Sequence, residues 1–167
     1  SNPRKYIILA VPLRLCVTPA PQLQYQGLAR HFSAQNPRSL TPKDIFESVV
    51  SIRKNKLPDP NQLPNCGSFF KNPVLADQQY TLLKSSFPAC PGHLEGAQVK
   101  VPAAWLIEQC GWKGFSNKFC SVFKHHALIL INHSRGTGKN ILALAESIIQ
   151  SVQQKFGVLL EIEPVFY

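Results

Sequence analysis

The chain has 167 residues, a length that allows one compact domain and is too short for two ordinary ones. Hydrophobic residues make up 44% and charged residues 16%, which excludes a disordered tail, and no apolar run reaches the roughly 20 residues of a transmembrane helix. Lysine and arginine number 18 against 9 acidic residues, a net charge of +9. This excess predicts an anionic partner, and a phosphorylated small molecule satisfies it as well as a nucleic acid does.

Cysteines and histidines indicate neither a disulfide scaffold nor a metal site. The five cysteines are Cys16, Cys66, Cys90, Cys110 and Cys120. Their number is odd and no C-x-x-C pair occurs, so we interpret them as reduced thiols and place the protein in the cytoplasm. Only His125 and His126 adjoin, and neighbours on a strand point to opposite faces. We therefore predict no metal ligands.

The first predicted element is a strand over residues 6–11, which are rich in aromatic and β-branched side chains. The stretch is too short for a signal peptide, and Pro12 and Arg14 interrupt its end. A Pro/Gln-rich segment over residues 18–24 follows, and the chain around His31 is expected to be irregular.

A helix is predicted to start at Thr41-Pro42-Lys43-Asp44. The threonine can cap it, the proline fits the first helical position, and the aspartate is favourable in the first turn. Ile45, Val49 and Ile52 recur at helical spacing, so the helix is expected to pack on a core. It should end at Lys56, because prolines follow.

The later elements follow from the same patterns. They are a short strand or turn over 67–70, a helix over 76–85, a loop over 88–96, an extended piece over 98–101, a helix over 103–110, strands over 119–123 and 127–132, a helix over 137–156 and a strand over 158–166. Gly111 and Gly157 follow helices where glycine commonly ends them. No internal repeat is present, and the order of elements predicts an α+β fold.

Gly136-Thr137-Gly138-Lys139 invites comparison with a phosphate-binding loop. That motif needs a glycine five residues before its second glycine, where this chain has His133. Asn140 also replaces the serine or threonine that would hold magnesium. We interpret the segment as a turn and a helix cap.

Glu161 and Glu163 lie two apart on the last predicted strand, so their side chains share one face, with Leu160 and Ile162 on the other. Two interpretations remain open. The pair can mark a solvent-facing edge strand, or one carboxyl group can lie in a cleft with a raised pKa and donate a proton.

The densest constellation of functional residue types is Lys56-Leu57-Pro58-Asp59-Pro60 followed by residues 65–73. Gly67 permits an unusual backbone angle and Pro73 fixes the exit, so Ser68 is expected to be rigidly displayed beside two phenylalanines. No G-x-S-x-G elbow occurs, and a serine that only donates a proton needs no such elbow. Nearby amide and ammonium donors predict a site for an anionic group.

This constellation resembles the signature around the catalytic serine of UDP-N-acetylenolpyruvoylglucosamine reductase, also called UDP-N-acetylmuramate dehydrogenase. The matching letters are K-L-P-D-P, then N-C-G-S-F-F-K-N-P. Three further stretches agree in order and spacing: V-P-A-A-W-L-I-E-Q-C-G-W-K-G over 101–114, H-A-L-I-L-I-N over 126–132, and F-G-V-L-L-E-I-E over 156–163. The resemblance runs from about residue 6 to residue 166.

The resemblance implies an enzyme of peptidoglycan synthesis. The family converts UDP-N-acetylglucosamine enolpyruvate to UDP-N-acetylmuramate, and NADPH reduces an FAD that in turn reduces the enolpyruvyl ether. Ser68 matches the proton-donating serine, and Glu163 matches the catalytic glutamate that stabilises or protonates the enolic species. Hydride goes to the methylene carbon and the proton to the neighbouring carbon.

The resemblance also implies a set of substrate-binding residues. Lys56, Asn72 and Lys100 match residues that face the UDP-sugar, and Tyr25 matches the tyrosine that covers the substrate in the type I branch. His126 stands where some members carry a substrate-contacting glutamine. Two departures concern loops: Cys66 replaces an alanine or proline beside the serine, and residues 118–120 replace a glycine-rich stretch.

The family's FAD-binding region, with its pyrophosphate loop and catalytic arginine, has no counterpart in this sequence. We therefore expect residues 1–17 to be the terminal strand of a missing FAD-binding domain and residues 18–167 to form the UDP-sugar domain. The chain would hold no cofactor-binding residue and be inactive alone. Expected partners are the UDP-sugar, NADPH and the FAD-binding domain, with no nucleic acid and no membrane.

Two other function classes fit parts of this pattern. A stand-alone nucleotide-sugar-binding module without redox activity would use the same residues and lack a flavin partner. Nucleic-acid binding rests on the charge of +9 alone, since the basic residues are spread along the chain and no recognition motif occurs.

Overall fold

The computed structural model describes residues 8–24, 26–33, 39–133 and 136–166. The chain divides into two compact units, Ser1–Arg53 and Lys54–Tyr167. In the described ranges, no helix is both long enough and apolar enough to cross a bilayer.

In the first unit, the predicted strand over residues 6–11 is not formed where the structure describes it. Residues 8–17 have neither helix nor strand, and apolar side chains such as Leu9 and Val17 are almost fully exposed. Residues 6 and 7 lie outside the described ranges. An extended segment becomes a strand only when a neighbouring strand binds its amides and carbonyls, and the described residues provide none for residues 8–17.

The segment around His31 is helical rather than irregular. Helix α1 spans Gln26–His31, and the Phe32 amide continues it by donating to the Leu28 carbonyl at 2.9 Å. Leu28 and Phe32 are both buried, and residues four apart lie on one helix face. This pair is the local signal that the Pro/Gln-rich surroundings obscured.

Helix α2 spans Pro42–Lys56, as predicted. The Asp44 amide donates to Thr41 Oγ1 at 3.2 Å, and the Thr41 amide donates to Asp44 Oδ2 at 2.8 Å, so the two residues cap the helix reciprocally. The side-chain hydrogen bond from Thr41 holds the pKa of Asp44 below its ordinary value. The stripe residues Ile45, Val49 and Ile52 are half-buried, whereas Ser48 is the buried residue of α2 and Phe46 is 67% exposed, so the stripe is only partly covered.

The second unit contains eight further elements. They are β1 (Val74–Ala76), α3 (Asp77–Ser86), β2 (His93–Glu95), β3 (Gln98–Lys100), α4 (Ala103–Gln109), β4 (Cys120–Val122), β5 (Leu130–Asn132) and α5 (Gly138–Phe156). One antiparallel sheet has the order β1-β3-β2, and a second pairs β4 with β5. The mixture of helices and small antiparallel sheets confirms the α+β prediction.

The core of the second unit lies between the helices and the two sheets. Its largest fully buried side chains are Phe69, Phe70, Leu106, Ile107, Leu130, Ile148, Val101, Val122, Val152 and Val158. These residues come from α4, α5, β4, β5, the link between β3 and α4, and the segments that carry Ser68 and Glu163. The candidate serine therefore precedes two of the best anchored side chains in the chain.

Two predicted elements of the second unit differ in extent. The predicted loop over 88–96 ends in β2, which pairs with β3 across a two-residue turn at Gly96, where φ is +64°. The Pro/Gly content that indicated a loop is also the composition of a tight hairpin. The final predicted strand reduces to one bridge, in which Ile162 opposes Phe70.

Candidate active site

Ser68 lies at the start of a short extended segment that pairs on both sides. On one side Ser68 opposes Ile129 in an antiparallel bridge, and the Phe69 amide donates to the Leu128 carbonyl at 2.8 Å. On the other side the segment contacts residues 161–163. Ser68 is therefore carried by the middle one of three adjacent backbone segments.

The third segment brings the two predicted catalytic residues onto neighbouring backbones. The Glu163 amide donates to the Phe69 carbonyl at 3.0 Å, and the Lys71 amide donates to the Glu161 carbonyl at 2.9 Å. These bonds flank the bridge between Phe70 and Ile162, so Glu163 lies directly across from the residue after Ser68.

The loop before Ser68 is shaped by an asparagine. Asn65 Oδ1 accepts from the Gly67 amide at 3.0 Å, and Asn65 Nδ2 donates to the Leu63 carbonyl at 2.7 Å. Gly67 adopts φ of +78°, a conformation that a side chain would strain. This confirms the predicted unusual angle. Asn65 itself was missed as a positioning residue, although an asparagine two residues before a glycine is typical of this turn.

Ser68 is exposed, although the two residues that follow it are buried. Opposed residues of an antiparallel pair share a face, so Ser68 lies on the face of Ile129 and, two residues on, Ile131. Both isoleucines are buried but lie outside the main cluster. Ile131 and its partner Ser121 line a cavity of about 350 Å³, and Ser68 is not among its lining residues. The exposed Ser68 hydroxyl, which has no hydrogen-bond partner among the described residues, is thus available to a ligand.

The two glutamates differ in their partners. Glu161 Oε2 pairs with Lys71 Nζ at 3.0 Å, whereas Glu163 has no ion-pair partner in the described ranges. Glu161 and Glu163 are both exposed, whereas Leu160 is buried. This confirms the predicted alternation of exposed and buried side chains. In this chain Glu163 is open to solvent rather than enclosed in a cleft.

His126 lies in the turns that precede β5, not on a strand as predicted. Its Nδ1 accepts the Leu128 amide at 3.3 Å, which makes Nδ1 the acceptor and leaves the proton on Nε2. Burial and then the charge of Lys56 lower the pKa of His126, Lys113 adds to this effect, and Glu108 opposes it. The imidazole is therefore a neutral Nε2–H donor.

The lowered pKa of His126 predicts a loss of stability in acid. The unfolded chain binds a proton near pH 6.5 and the folded chain only at a lower pH, so stability is complete above about pH 6.5 and falls as the pH drops below it. Urea unfolding at about pH 8 and pH 5.5 should show a lower midpoint in acid. His126→Gln should flatten this dependence, and the exposed neighbour variant His125→Gln should not. An unchanged slope in His126→Gln would contradict the prediction.

Asn72 and Lys100 lie at the sheet of β1 and β3. Asn72 Oδ1 accepts the Ala103 amide at 2.9 Å and thereby caps α4. Lys100 opposes Val74 and pairs with Glu95 at 2.7 Å. The Asn72 amide group keeps two donors that have no partner among the described residues. Tyr25, the remaining predicted substrate residue, lies outside the described ranges.

The segment Gly136-Thr137-Gly138-Lys139 is a helix cap, as predicted. Thr137 and Asn140 form a capping box at the start of α5, and the Thr137 amide donates to Asn140 Oδ1 at 2.9 Å. A Cβ at Gly136 would lie 2.2 Å from Asn132 Oδ1. The space beside this glycine is therefore occupied by protein atoms.

The cysteines are free thiols. Burial raises the pKa of Cys66, Cys90 and Cys110, which keeps these thiols protonated and weakly nucleophilic. Cys66, although two residues from Ser68, is therefore no competing nucleophile.

Comparison with known proteins places the chain in one family. The family model described as "UDP-N-acetylenolpyruvoylglucosamine reductase, C-terminal domain" matches residues 59–167. Proteins named UDP-N-acetylenolpyruvoylglucosamine reductase are similar over nearly the whole chain. The one from Burkholderia ambifaria (strain MC40-6) is 43% identical over 96% of this chain, that from Amoebophilus asiaticus (strain 5a2) 42% over 95%, and that from Xylella fastidiosa (strain 9a5c) 42% over 97%.

The chain spans about half the length of these relatives, 47% in each of the three cases. The matched family domain covers Ser68, Glu163, Asn72, Lys100 and His126. The chain belongs to the UDP-N-acetylenolpyruvoylglucosamine reductase family and carries its C-terminal domain.

Proposed function

We propose that this chain is the UDP-sugar-binding part of a cytoplasmic reductase that converts UDP-N-acetylglucosamine enolpyruvate to UDP-N-acetylmuramate for peptidoglycan synthesis. The observation that carries the proposal is the pairing of the Ser68 segment with the Glu163 segment. The two segments are joined by the hydrogen bond from the Glu163 amide to the Phe69 carbonyl. FAD, reduced by NADPH and bound by a domain outside this chain, supplies the hydride.

Ser68 holds the proton that completes the reduction. Its hydroxyl donates to the carbon next to the methylene that accepts the hydride, and solvent restores the proton afterwards. The buried phenylalanines after Ser68 and the turn at Gly67 before it limit its movement. Such preorganisation is what a general acid needs, because proton transfer depends on position first and on acidity second.

Glu163 acts from the neighbouring segment on the same intermediate. Glu161 is held by Lys71, whereas the Glu163 carboxylate is free to contact the enolic oxygen or its proton. Basic and amide groups hold the rest of the substrate: Lys56 and Lys100 for the diphosphate, and the Asn72 amide and the His126 Nε2–H as directional donors. Tyr25 covers the substrate.

Residues 1–17 belong to the flavin-binding domain in this proposal, and residues 18–167 form the UDP-sugar domain. Apolar residues recur at every second position from Leu9 to Val17 and are exposed. That period is typical of a strand with one buried face. A sheet in the flavin-binding domain would supply the missing neighbour.

An NMR titration of this chain with UDP-N-acetylglucosamine enolpyruvate tests the proposal. We expect saturable amide shifts at Ser68, Asn72 and His126, and none at Ser85, an exposed serine of α3. Absence of saturable shifts at millimolar substrate, both alone and with the flavin-binding half of the Burkholderia ambifaria relative, would contradict it. Shifts without any NADPH oxidation in that mixture would instead favour a stand-alone nucleotide-sugar-binding module.

A further inference from the structure

The backbone that leads to the candidate serine contains one residue more than the segment opposite it. The Asn132 amide donates to the Pro64 carbonyl at 2.9 Å, and the Phe69 amide donates to the Leu128 carbonyl at 2.8 Å. Between these two bonds the serine side advances five residues and the facing side four. An unequal count of this kind is a β-bulge, which changes where the following side chain is displayed. We call residues 65–67 the Asn65 bulge.

The Asn65 carboxamide closes this bulge from within. Its Oδ1 accepts from the Gly67 amide at 3.0 Å, and its Nδ2 donates to the Leu63 carbonyl at 2.7 Å. A Cβ built on Gly67 meets nothing within 4 Å, although φ there is +78°. Glycine is therefore needed at this position for its backbone angle and not for lack of space, since other residues adopt a positive φ only at a cost.

The position of the Ser68 hydroxyl depends on the backbone at both of its ends. The side chain is exposed and has no hydrogen-bond partner among the described residues. The chain after it is held by Phe69 and Phe70, which are buried, and the chain before it by the Asn65 bulge. A change of register by one residue moves a side chain to the opposite face. Relaxation of the bulge would therefore move the hydroxyl away from the carbon that it protonates.

We propose that Asn65 is a positioning residue for the reduction of the UDP-sugar, because its side chain maintains the bulge that sets the place of the Ser68 hydroxyl. This inference rests on the proposed function and adds a residue that acts through the proton donor without contacting the substrate. It predicts an effect on the step that uses the proton and none on substrate binding or on flavin reduction.

Stopped-flow measurement of the two half-reactions in the complete reductase tests this role. Asn65→Ala should slow reduction of the substrate at least about tenfold, because small displacements of a reacting group are costly. Flavin reduction by NADPH and the dissociation constant of the substrate should change less than about twofold. Asn65→Asp should restore the rate at saturating substrate to within about threefold, since its carboxylate still accepts the Gly67 amide and one hydrogen bond is lost.

Substitutions of glycine alter the same bulge without touching the asparagine. Gly67→Ala should slow the substrate half-reaction about tenfold, and Gly67→Asn should slow it less, because asparagine tolerates a positive φ better than alanine does. Gly96→Ala is the matched control: φ is +64° in the turn between β2 and β3, and a Cβ there also meets nothing within 4 Å. It should lower the urea midpoint as much as Gly67→Ala and leave both half-reactions unchanged. Equal slowing by Gly96→Ala would overturn the inference in favour of a general loss of stability.

A double variant separates this inference from the proposed function. In the Ser68→Ala background, Asn65→Ala should cause no further slowing, because Asn65 acts through Ser68. Further slowing there would contradict the inference. If Ser68→Ala slows the substrate half-reaction and Asn65→Ala does not, the inference is wrong and the proposed function stands. If Ser68→Ala has no effect, the proton donor of the proposed function and the inference are both overturned.

Discussion

Replacing Ser68 with alanine is expected to slow reduction of the UDP-sugar by the complete reductase at least about a hundredfold, the usual contribution of a positioned general acid. Reduction of the flavin by NADPH should remain nearly normal, because the proton is needed only after hydride reaches the substrate. Stopped-flow measurement of flavin absorbance separates the two half-reactions. The fold should be unaffected, since the Ser68 hydroxyl has no partner among the described residues.

Ser85→Ala is the matched control for this variant, because Ser85 is exposed on α3 and its hydroxyl contacts only the Leu82 carbonyl. It should leave both half-reactions unchanged. Normal rates for both half-reactions in Ser68→Ala would show that Ser68 is not the proton donor. Equal slowing of both would indicate a damaged flavin interface instead of a lost proton.

The same measurement distinguishes the two glutamates. Glu163→Gln should slow the substrate half-reaction more than Glu161→Gln, because Glu161 is engaged by Lys71 at 3.0 Å. Loss of that exposed ion pair should cost no more than about 1 kcal/mol of stability. The reverse order of rates would assign the catalytic carboxylate to Glu161.

Replacing Gly136 with alanine is expected to destabilise the chain by about 3 kcal/mol, at the upper end for overpacking. The added Cβ would lie 2.2 Å from Asn132 Oδ1 and 2.5 Å from the Phe119 carbonyl oxygen. It would also disturb the hydrogen bond from Asn132 Nδ2 to the Gly136 carbonyl, which is 2.9 Å long. Since Phe119 contributes a backbone atom, no side-chain rotation relieves the contact.

Urea unfolding of Gly136→Ala should therefore show a clearly lower midpoint than that of the unaltered chain. Gly138→Ala, two residues away, is the control: a Cβ there meets nothing within 4 Å, and alanine is the better helix former at the start of α5. It should raise the midpoint slightly. A midpoint of Gly136→Ala equal to that of the unaltered chain would show that the turn relaxes without cost.

Local features were predictable from neighbouring residues alone. The cap of α2 by Thr41 and Asp44 and the capping box of Thr137 and Asn140 depend on side chains three residues apart. The left-handed angle of Gly67 likewise follows from its immediate turn. Helix α1 and strand β2 were missed, because the prolines and glycines near them also fit loops. Whether the β2 segment forms a strand depends on its pairing with β3.

Sequence by itself therefore determined the boundaries of helices α2 to α5, the unusual backbone angle before Ser68 and the family to which the chain belongs. Only tertiary structure decided that Glu163 lies across from the Ser68 segment and that Asn72 caps α4. The reason is physical. Caps and turns depend on bonds that close within a few residues, whereas the site depends on packing between segments that the sequence keeps far apart.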